Sequence, residues 1–279
     1  MSNSTEGVTR RNATRIGRPG ELKINSLDDA VVVEEPLEIR VAGDTLAVTM
    51  RTPGHDRFLA AGFLYAEGVI ESAADLGTLT HCGRPGDEGY GNTMDVIPAG
   101  GVDLDIEKLS ATRRGTITTA ACGVCGRRSV DDVIARCTVL PPGPRIAAAA
   151  ISRAVERLRE VQPVFAATGG IHAAAALRSD GVVLASFEDI GRHNAIDKVV
   201  GKLLLGGVIG APALLVVSGR ASFEVVQKAA RARIPIVASV SATSSLAIDL
   251  ARATGVTLCG FVRDGAMTIY SHPERVAAE

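Results

Sequence analysis

The last third of the chain constrains the fold most. Short apolar runs at 213–217, 236–240 and 256–262 alternate with helix-period segments at 222–232 and 244–253. Apolar runs of that length, flanked by helices, read as strands buried on both faces. Parallel neighbours cannot be joined by a tight turn. The alternation therefore predicts a partly parallel sheet with right-handed crossovers. Upstream, Ile151, Ala154, Val155, Leu158 and Val161 mark an amphipathic helix. A hairpin follows at 172–177 and 182–187 around the turn Arg178-Ser179-Asp180-Gly181, then a helix over 192–204, and 267–270 adds a last short strand.

Four stretches are expected. Residues 1–20 carry Arg10, Arg11, Arg15 and Arg18 among small polar residues and read as a flexible tail. Residues 21–115 hold β-branched and alternating runs, with a turn signal at Ala42-Gly43-Asp44. Phe58, Leu59, Gly62, Phe63 and Ala66 mark a helix over 56–67 that Gly68 stops. This stretch reads as a small β-rich α+β domain. Residues 116–146 form a linker carrying Cys122-Gly123-Val124-Cys125, then a short helix capped by Ser129, and Pro141, Pro142 and Pro144 end it. Residues 147–279 form the α/β domain, so the chain is α/β (α+β overall).

Composition narrows the function classes. The 279 residues are 46% hydrophobic and 22% charged, which is ordinary for a folded protein. Thirty basic residues balance 31 acidic ones, which argues against a general nucleic-acid or membrane-surface binder relying on a basic field. Aromatics are 3% without Trp, which argues against a stacking platform for single strands. No apolar window reaches a membrane span; the run 206–218 is broken by Gly210 and Pro212. The polar, basic N-terminus lacks the apolar region of a secretory signal, so the expected location is cytoplasmic. Five cysteines are too few for a disulfide scaffold. Cys137 and Cys259 lie in apolar runs and read as core fillers.

Three turns of the second domain share one design. Gly191-Arg192-His193-Asn194, Ser218-Gly219-Arg220-Ala221-Ser222 and Ser241-Ala242-Thr243-Ser244-Ser245 each open a helix after a strand. Helix N-termini present free N–H groups and partial positive charge. Arg192 and Arg220 add planar forks suited to phosphate. Ligands of open α/β sheets sit at that edge, so an anionic, phosphate-bearing ligand is expected there. The bland reading is that Ser and Gly only cap helices.

The Cys-x-x-Cys admits three readings from its residues. It is half a zinc site, which His81-Cys82 would complete only with unusual spacing. It is a thioredoxin-like redox pair, though its Thr-rich, glycine-flanked context differs. Or it is a thiol-transfer site on a loop, where Arg127, Arg128 and a helix N-terminus favour thiolate. The residues alone leave these open.

Longer motifs then add a resemblance. Ala121–Gly126, Thr168–Ala174 and Glu188–Lys198 are similar to the formate dehydrogenase accessory sulfurtransferase family. So are Ser218–Glu224, Ser239–Ala247, Gly260–Arg263, Tyr270 and Pro273–Arg275. The resemblance implies a carrier that takes sulfane sulfur from a cysteine desulfurase and holds it as a persulfide on Cys122, with Cys125 as the second cysteine. It implies delivery to the molybdenum bis(guanine dinucleotide) cofactor, bound as substrate, before insertion into apo-formate dehydrogenase. It places cofactor binding on Phe261, Val262, Arg263, Asp264, Gly265 and Ala266. Ala266 replaces a basic residue of some relatives. A homodimer and a cytidine-deaminase-like second domain are further implications.

That fold likeness raises a deaminase as rival. Deaminases need His-x-Glu and Pro-Cys-x-x-Cys on successive helices. Here the helix starts read Arg192-His193-Asn194-Ala195 and Gly219-Arg220-Ala221-Ser222, without the Glu or the cysteines. No resident metal is expected. The dinucleotide arms are instead expected at the strand ends, with Arg192, Arg220 and Ser241 on phosphate or ribose and His193 as a donor, proton carrier or structural residue. Glu188, Asp189 and Asp197 are expected to orient basic residues. The alternative function is a non-catalytic chaperone that only holds the cofactor for formate dehydrogenase.

Overall fold

Val8–Ile16 is one strand of a hairpin, within the stretch 1–20 that was expected to form a flexible tail. The structure, a computed structural model, describes residues 7–16, 24–84, 86–87, 89–102, 104 and 139–278. Strands β1 (Val8–Ile16) and β2 (Ile24–Val32) pair antiparallel, with Arg10 opposite Ala30 and Arg11 opposite Asp29. Arg10 Nη1 donates to the Asp28 carbonyl at 3.0 Å and lies 3.7 Å from its carboxylate. Opposite charges across a ladder favour pairing. Neither face of β1 is buried, so it lacks the apolar alternation that announces a strand.

Strands β3 (Glu35–Val41) and β4 (Asp44–Arg51) form the expected hairpin about Ala42 and Gly43. Helix α1 (Asp56–Glu67) ends where Gly68, at φ 74°, donates its N–H to the Leu64 and Tyr65 carbonyls. Strands β5 (Leu76–His81) and β6 (Thr93–Pro98) complete a sheet ordered β4-β3-β6-β5, in which β3 and β6 run parallel. Leu37, Ile39 and Val41 on β3 are fully buried and belong to one apolar core with Leu59 and Leu64 of α1.

After β7 (Ile146–Ala147) come helix α2 (Ala148–Glu160) and the unforeseen six-residue helix α3 (Pro163–Thr168). The hairpin β8 (His172–Leu177) and β9 (Val183–Asp189) leads into helix α4 (Arg192–Leu205). Then β10 (Leu214–Val217), α5 (Phe223–Arg231), β11 (Ile236–Ser239), α6 (Ser245–Thr254) and β12 (Thr257–Arg263) alternate as expected. Strand β13 (Ala266–Ser271) turns back, and β14 (Val276–Ala277) pairs with β7. The six strands are ordered β13-β12-β11-β10-β8-β9, with β10, β11 and β12 mutually parallel.

This sheet is apolar on both faces, and the residues alternate between two cores. Ala174, Ala176, Leu215, Val217, Val237 and Leu258 face the core that holds α1, α4, α5 and α6. Ala173, Ala175, Leu214, Val216, Ala238 and Cys259 face the core built on α2. Two covered faces explain why β10 and β11 read as unbroken apolar runs.

The two sheets communicate through α1 and α4. Gly62 and Gly201 sit at their crossing: a Cβ on Gly62 would lie 2.7 Å from the Asp197 carbonyl carbon and 2.8 Å from the Gly201 nitrogen. A Cβ on Gly201 would stand equally close to Phe58 and Gly62. Backbone therefore meets backbone there, which only glycine allows. Nearby, Lys228 Nζ is 2.6 Å from Asp197 Oδ1, a pair buried between α5 and α4.

Candidate functional site

The site begins with the turn after β9. Asp189 is fully buried at its base. Its Oδ1 accepts from Gly191 N at 2.9 Å and from Asn194 Nδ2 at 3.0 Å. Its Oδ2 lies 2.7 Å from Lys198 Nζ, and that ammonium also donates to the Thr52 carbonyl at 2.9 Å. Burial pushes the Asp189 carboxyl above the usual carboxylate range, against the pull of Lys198. A Cβ on Gly191 would reach within 2.8 Å of the Asn194 amide nitrogen, so glycine leaves room for the Asn194 side chain that Asp189 holds. Asp189 thus shapes the turn that presents Arg192, and its ionic partner is Lys198. Asp197 likewise pairs with Lys228, while Glu188 accepts from the backbone of Val164 at 3.0 Å and Phe165 at 2.8 Å. None of the three carboxylates is drawn to Arg192 or Arg220 by an ion pair among the described residues.

The three helix-opening turns converge. Ser239 Oγ donates to the Gly219 carbonyl at 2.7 Å and accepts from Ser241 N at 3.1 Å. Ala221 N donates to Ala242 O at 3.0 Å, and Ser244 N donates to Ala221 O at 3.1 Å. These bonds lace the second turn to the third at the carboxyl ends of β10 and β11. Gly219 closes the gap to the first: a Cβ there would stand 3.2 Å from His172 Nδ1 and 3.6 Å from Arg192 Cβ. Burial, then the charges of Arg192, His193 and Arg220, hold His172 below the usual histidine pKa. His172 is therefore a neutral ring at neutral pH, within the electrostatic reach of Arg192 and Arg220. Arg192 Nε is buried with no hydrogen-bond partner among the described residues, and Arg220 is exposed.

His193 is turned inward. Its Nδ1 is 2.9 Å from Glu224 Oε2 and its Nε2 is 3.2 Å from Ser222 Oγ. It thereby ties the first turn of α4 to the first turn of α5. Ser222 stands at the N-cap of α5 without capping it, because its hydroxyl goes to His193. Ser244 does cap α6, accepting from Ala247 N at 3.3 Å. The capping account thus covers the third turn and leaves the second. Among the described residues no group of three or more His, Cys, Asp or Glu side chains is placed to hold a metal ion.

The stretch 261–266 divides. Phe261, at φ 53°, donates its N–H to Ser241 O at 3.0 Å and so joins the strand-end edge with its ring exposed. Val262 points into the α2-side core and is fully buried, which leaves its backbone alone for any ligand. Arg263, Asp264, Gly265 and Ala266 form an exposed hairpin tip, and Gly265 N donates to Ser152 Oγ at 3.0 Å. Cys122, Cys125 and Cys137 lie outside the described residues. Cys82 is exposed after β5, and Cys259 is buried in β12 as expected.

Sequence reasoning about single turns marked Ser222 but missed His172 and Glu224 as members of this site. His172 starts β8, which runs antiparallel to β10, so only sheet pairing brings it to the carboxyl edge. Glu224 stands two residues after Ser222, and its partner is 31 positions upstream.

Comparisons agree with this architecture. Residues 32–277 match the model of the FdhD/NarQ family. A sulfur carrier protein FdhD from Anaeromyxobacter sp. (strain K) is 55% identical, covering 97% of this chain and 98% of the relative. One from Streptomyces coelicolor is 45% identical, covering 96% and 95%. The crystal structure of a formate dehydrogenase accessory protein from Desulfotalea psychrophila has the same fold, with a TM-score of 0.76 at 24% identity over 97% of this chain and 99% of that one. With the family model matched over residues 32–277, this chain belongs to the FdhD/NarQ family.

Proposed function

We propose that this chain is a sulfur carrier for formate dehydrogenase. Sulfur arrives from a cysteine desulfurase. The Cys122 thiolate attacks the outer sulfur of the donor's persulfide, that sulfur–sulfur bond breaks, and the donor thiolate leaves. Cys122 then holds the sulfane sulfur. Attack of the Cys125 thiolate on Cys122 Sγ releases hydrosulfide and leaves a Cys122–Cys125 disulfide, which a cellular dithiol resets. The acceptor is the molybdenum of a bis(guanine dinucleotide) pterin, bound here as substrate before its insertion into the apoenzyme.

The observation that carries the cofactor half of this reading is the converged strand-end edge. Arg192 keeps a buried Nε without a partner among the described residues, Arg220 is exposed, and the charges of both act on the His172 ring. A pyrophosphate oxygen supplies the acceptor that Arg192 lacks, and charge-assisted bonds of that kind are the stronger ones. The names of the relatives, sulfur carrier proteins, support the sulfur half.

Intact-mass spectrometry after incubation with a cysteine desulfurase and cysteine tests it. The expected gain is about one sulfur atom, on Cys122 and absent from Cys122→Ala. No gain, or a gain that survives Cys122→Ala, refutes the persulfide. A Cys122→Ala variant that still restores formate oxidation makes the chain a cofactor-holding chaperone instead.

A further inference from the structure

A cleft of about 250 Å³ lies at the amino end of β10, across the sheet from the strand-end edge. Leu214, which opens β10, stands opposite Leu177 at the end of β8, and Leu177 stands opposite Val183 on β9. Residues paired across strands share a face, so the three form an apolar row on the α2 side of the sheet. Leu214 and Leu177 are buried in the α2-side core, whereas Val183, on the edge strand, is 45% exposed.

Helix α2 walls one side of the cleft. Its lining residues Ala150, Arg153, Ala154 and Arg157 recur at i, i+3, i+4 and i+7 and so lie on one stripe of the helix. The two alanines leave the hollow, and the two arginines flank it. Both arginines are exposed, and among the described residues neither has an ion pair or a hydrogen bond. Glu156, three places after Arg153, accepts from Ser152 Oγ at 3.3 Å instead. The other wall is the β8–β9 turn. Arg178 Nη2 is 2.6 Å from Asp180 Oδ2, and Asp180 Oδ1 accepts from Arg178 Nε at 3.3 Å and from Val182 N at 3.0 Å. The one carboxylate of the lining is therefore engaged within its own turn, and two guanidinium groups are left without a counter-ion among the described residues.

Arginine beside a desolvated apolar floor is the composition of an interface centre. The hollow is below the size of a small-molecule site and matches a side chain or two of a docked segment. The whole chain has a net charge of −1, so the positive charge here is a local spot and not the extended field that a nucleic acid follows.

We propose that this cleft docks an acidic segment of a partner protein. An apolar side chain of that segment fills the hollow over Leu177 and Leu214, and carboxylates on either side of it pair with Arg153 and Arg157. Planar guanidinium forks suit carboxylates in that role. The cleft and the strand-end edge lie at opposite ends of β10, so a partner held here leaves that edge open.

Fluorescence polarisation of the full chain with a fluorescein-labelled peptide, Glu-Asp-Leu-Glu-Asp, tests it. Wild type should bind in the micromolar range, more weakly as salt rises. The double variant Arg153→Ala/Arg157→Ala, at exposed positions, should lose about tenfold or more in affinity. Ala150→Leu keeps both arginines but fills the hollow, and should lose about tenfold as well; its melting midpoint will show that it folds. A wild-type chain that does not bind the peptide, or a double variant that binds it as wild type does, overturns the docking site. Loss in the arginine variant with full binding in a folded Ala150→Leu leaves only unspecific charge attraction and overturns it too. Displacement of the peptide by an equal concentration of inorganic phosphate makes the cleft a small-anion site instead.

Discussion

Replacing Gly201 by Ala should destabilise the protein, although alanine is the better helix former. In an exposed helix the exchange gains about 1 kcal/mol. Here the new Cβ would lie 2.7 Å from the Phe58 carbonyl carbon and 2.8 Å from the Gly62 nitrogen. Carbon atoms rest about 3.5–4.0 Å apart, so α1 and α4 must separate by roughly 1 Å. The obstructing atoms are backbone and cannot rotate away. Separation also loosens apolar neighbours on both helices, such as Leu59, Ala60, Val199 and Val200, each at most 1% exposed. Overpacking costs about 1–3 kcal/mol, occasionally more, and an unyielding backbone contact belongs at the upper end. Set against the helix gain, the net loss is about 2 kcal/mol. At about 2–4 °C per kcal/mol for a chain of this size class, the melting midpoint should fall by about 4–8 °C. Differential scanning calorimetry measures it, with Gly100→Ala as control. A Cβ on Gly100 meets nothing within 4 Å, so that variant should stay within about 0.5 kcal/mol of wild type. The double variant Gly62→Ala/Gly201→Ala should cost less than the two singles together, since one separation relieves both clashes. A Gly201→Ala protein that melts at or above wild type refutes the close crossing.

Other outcomes follow from the buried charges and thiols. Burial pushes Asp197 up to about 6 even with Lys228 beside it, and burial works against the Lys228 ammonium, yet Asp197 and Glu67 keep that lysine above its ordinary pKa. Lys228→Met strands the carboxylate and should cost about 3–5 kcal/mol at pH 7 by denaturant unfolding. The folded pKa of Asp197 lies above its unfolded value of about 3.9, so its contribution is fully present below that value and is lost as pH rises through about 6. Without Lys228 the folded value climbs further, so the variant should regain stability relative to wild type as pH falls; a deficit independent of pH counts against the pairing. Burial also pushes the Cys259 thiol up to about 12. Iodoacetamide at pH 8 should therefore label exposed Cys82 in the folded chain and Cys259 only after unfolding, as peptide mapping will show. Rapid native labelling of Cys259 contradicts its placement in the core.

Much of the C-terminal fold was legible because its signals are local. The strands at 214–217, 236–239 and 257–263 lie within a residue or so of the expected runs, and helix 192–205 begins at the expected arginine. Helix α3 was not legible: six residues carry too little period to register, although Pro163 sits at its first turn. The β1–β2 hairpin failed for the opposite reason. Its arginines resemble a solvated tail until Asp28 and Asp29 are placed across from them. The candidate site was half legible. Arg192, Arg220 and Ser241 were marked by their turns, whereas His172 and Glu224 gained meaning only from partners distant in the chain.

By itself, the order of residues determined the alternation of strand and helix, the glycine stops and the three Ser/Gly/Arg turns, because each depends on neighbours within a few positions. Tertiary structure decided that those turns share one edge, that Val262 faces the core, that His193 is held by Glu224, and that two helices cross on Gly62 and Gly201. Burial and electrostatics act through space. A carboxylate such as Asp189 becomes the support of a turn only when Lys198 and Thr52, one nearby in sequence and one far off, are folded around it.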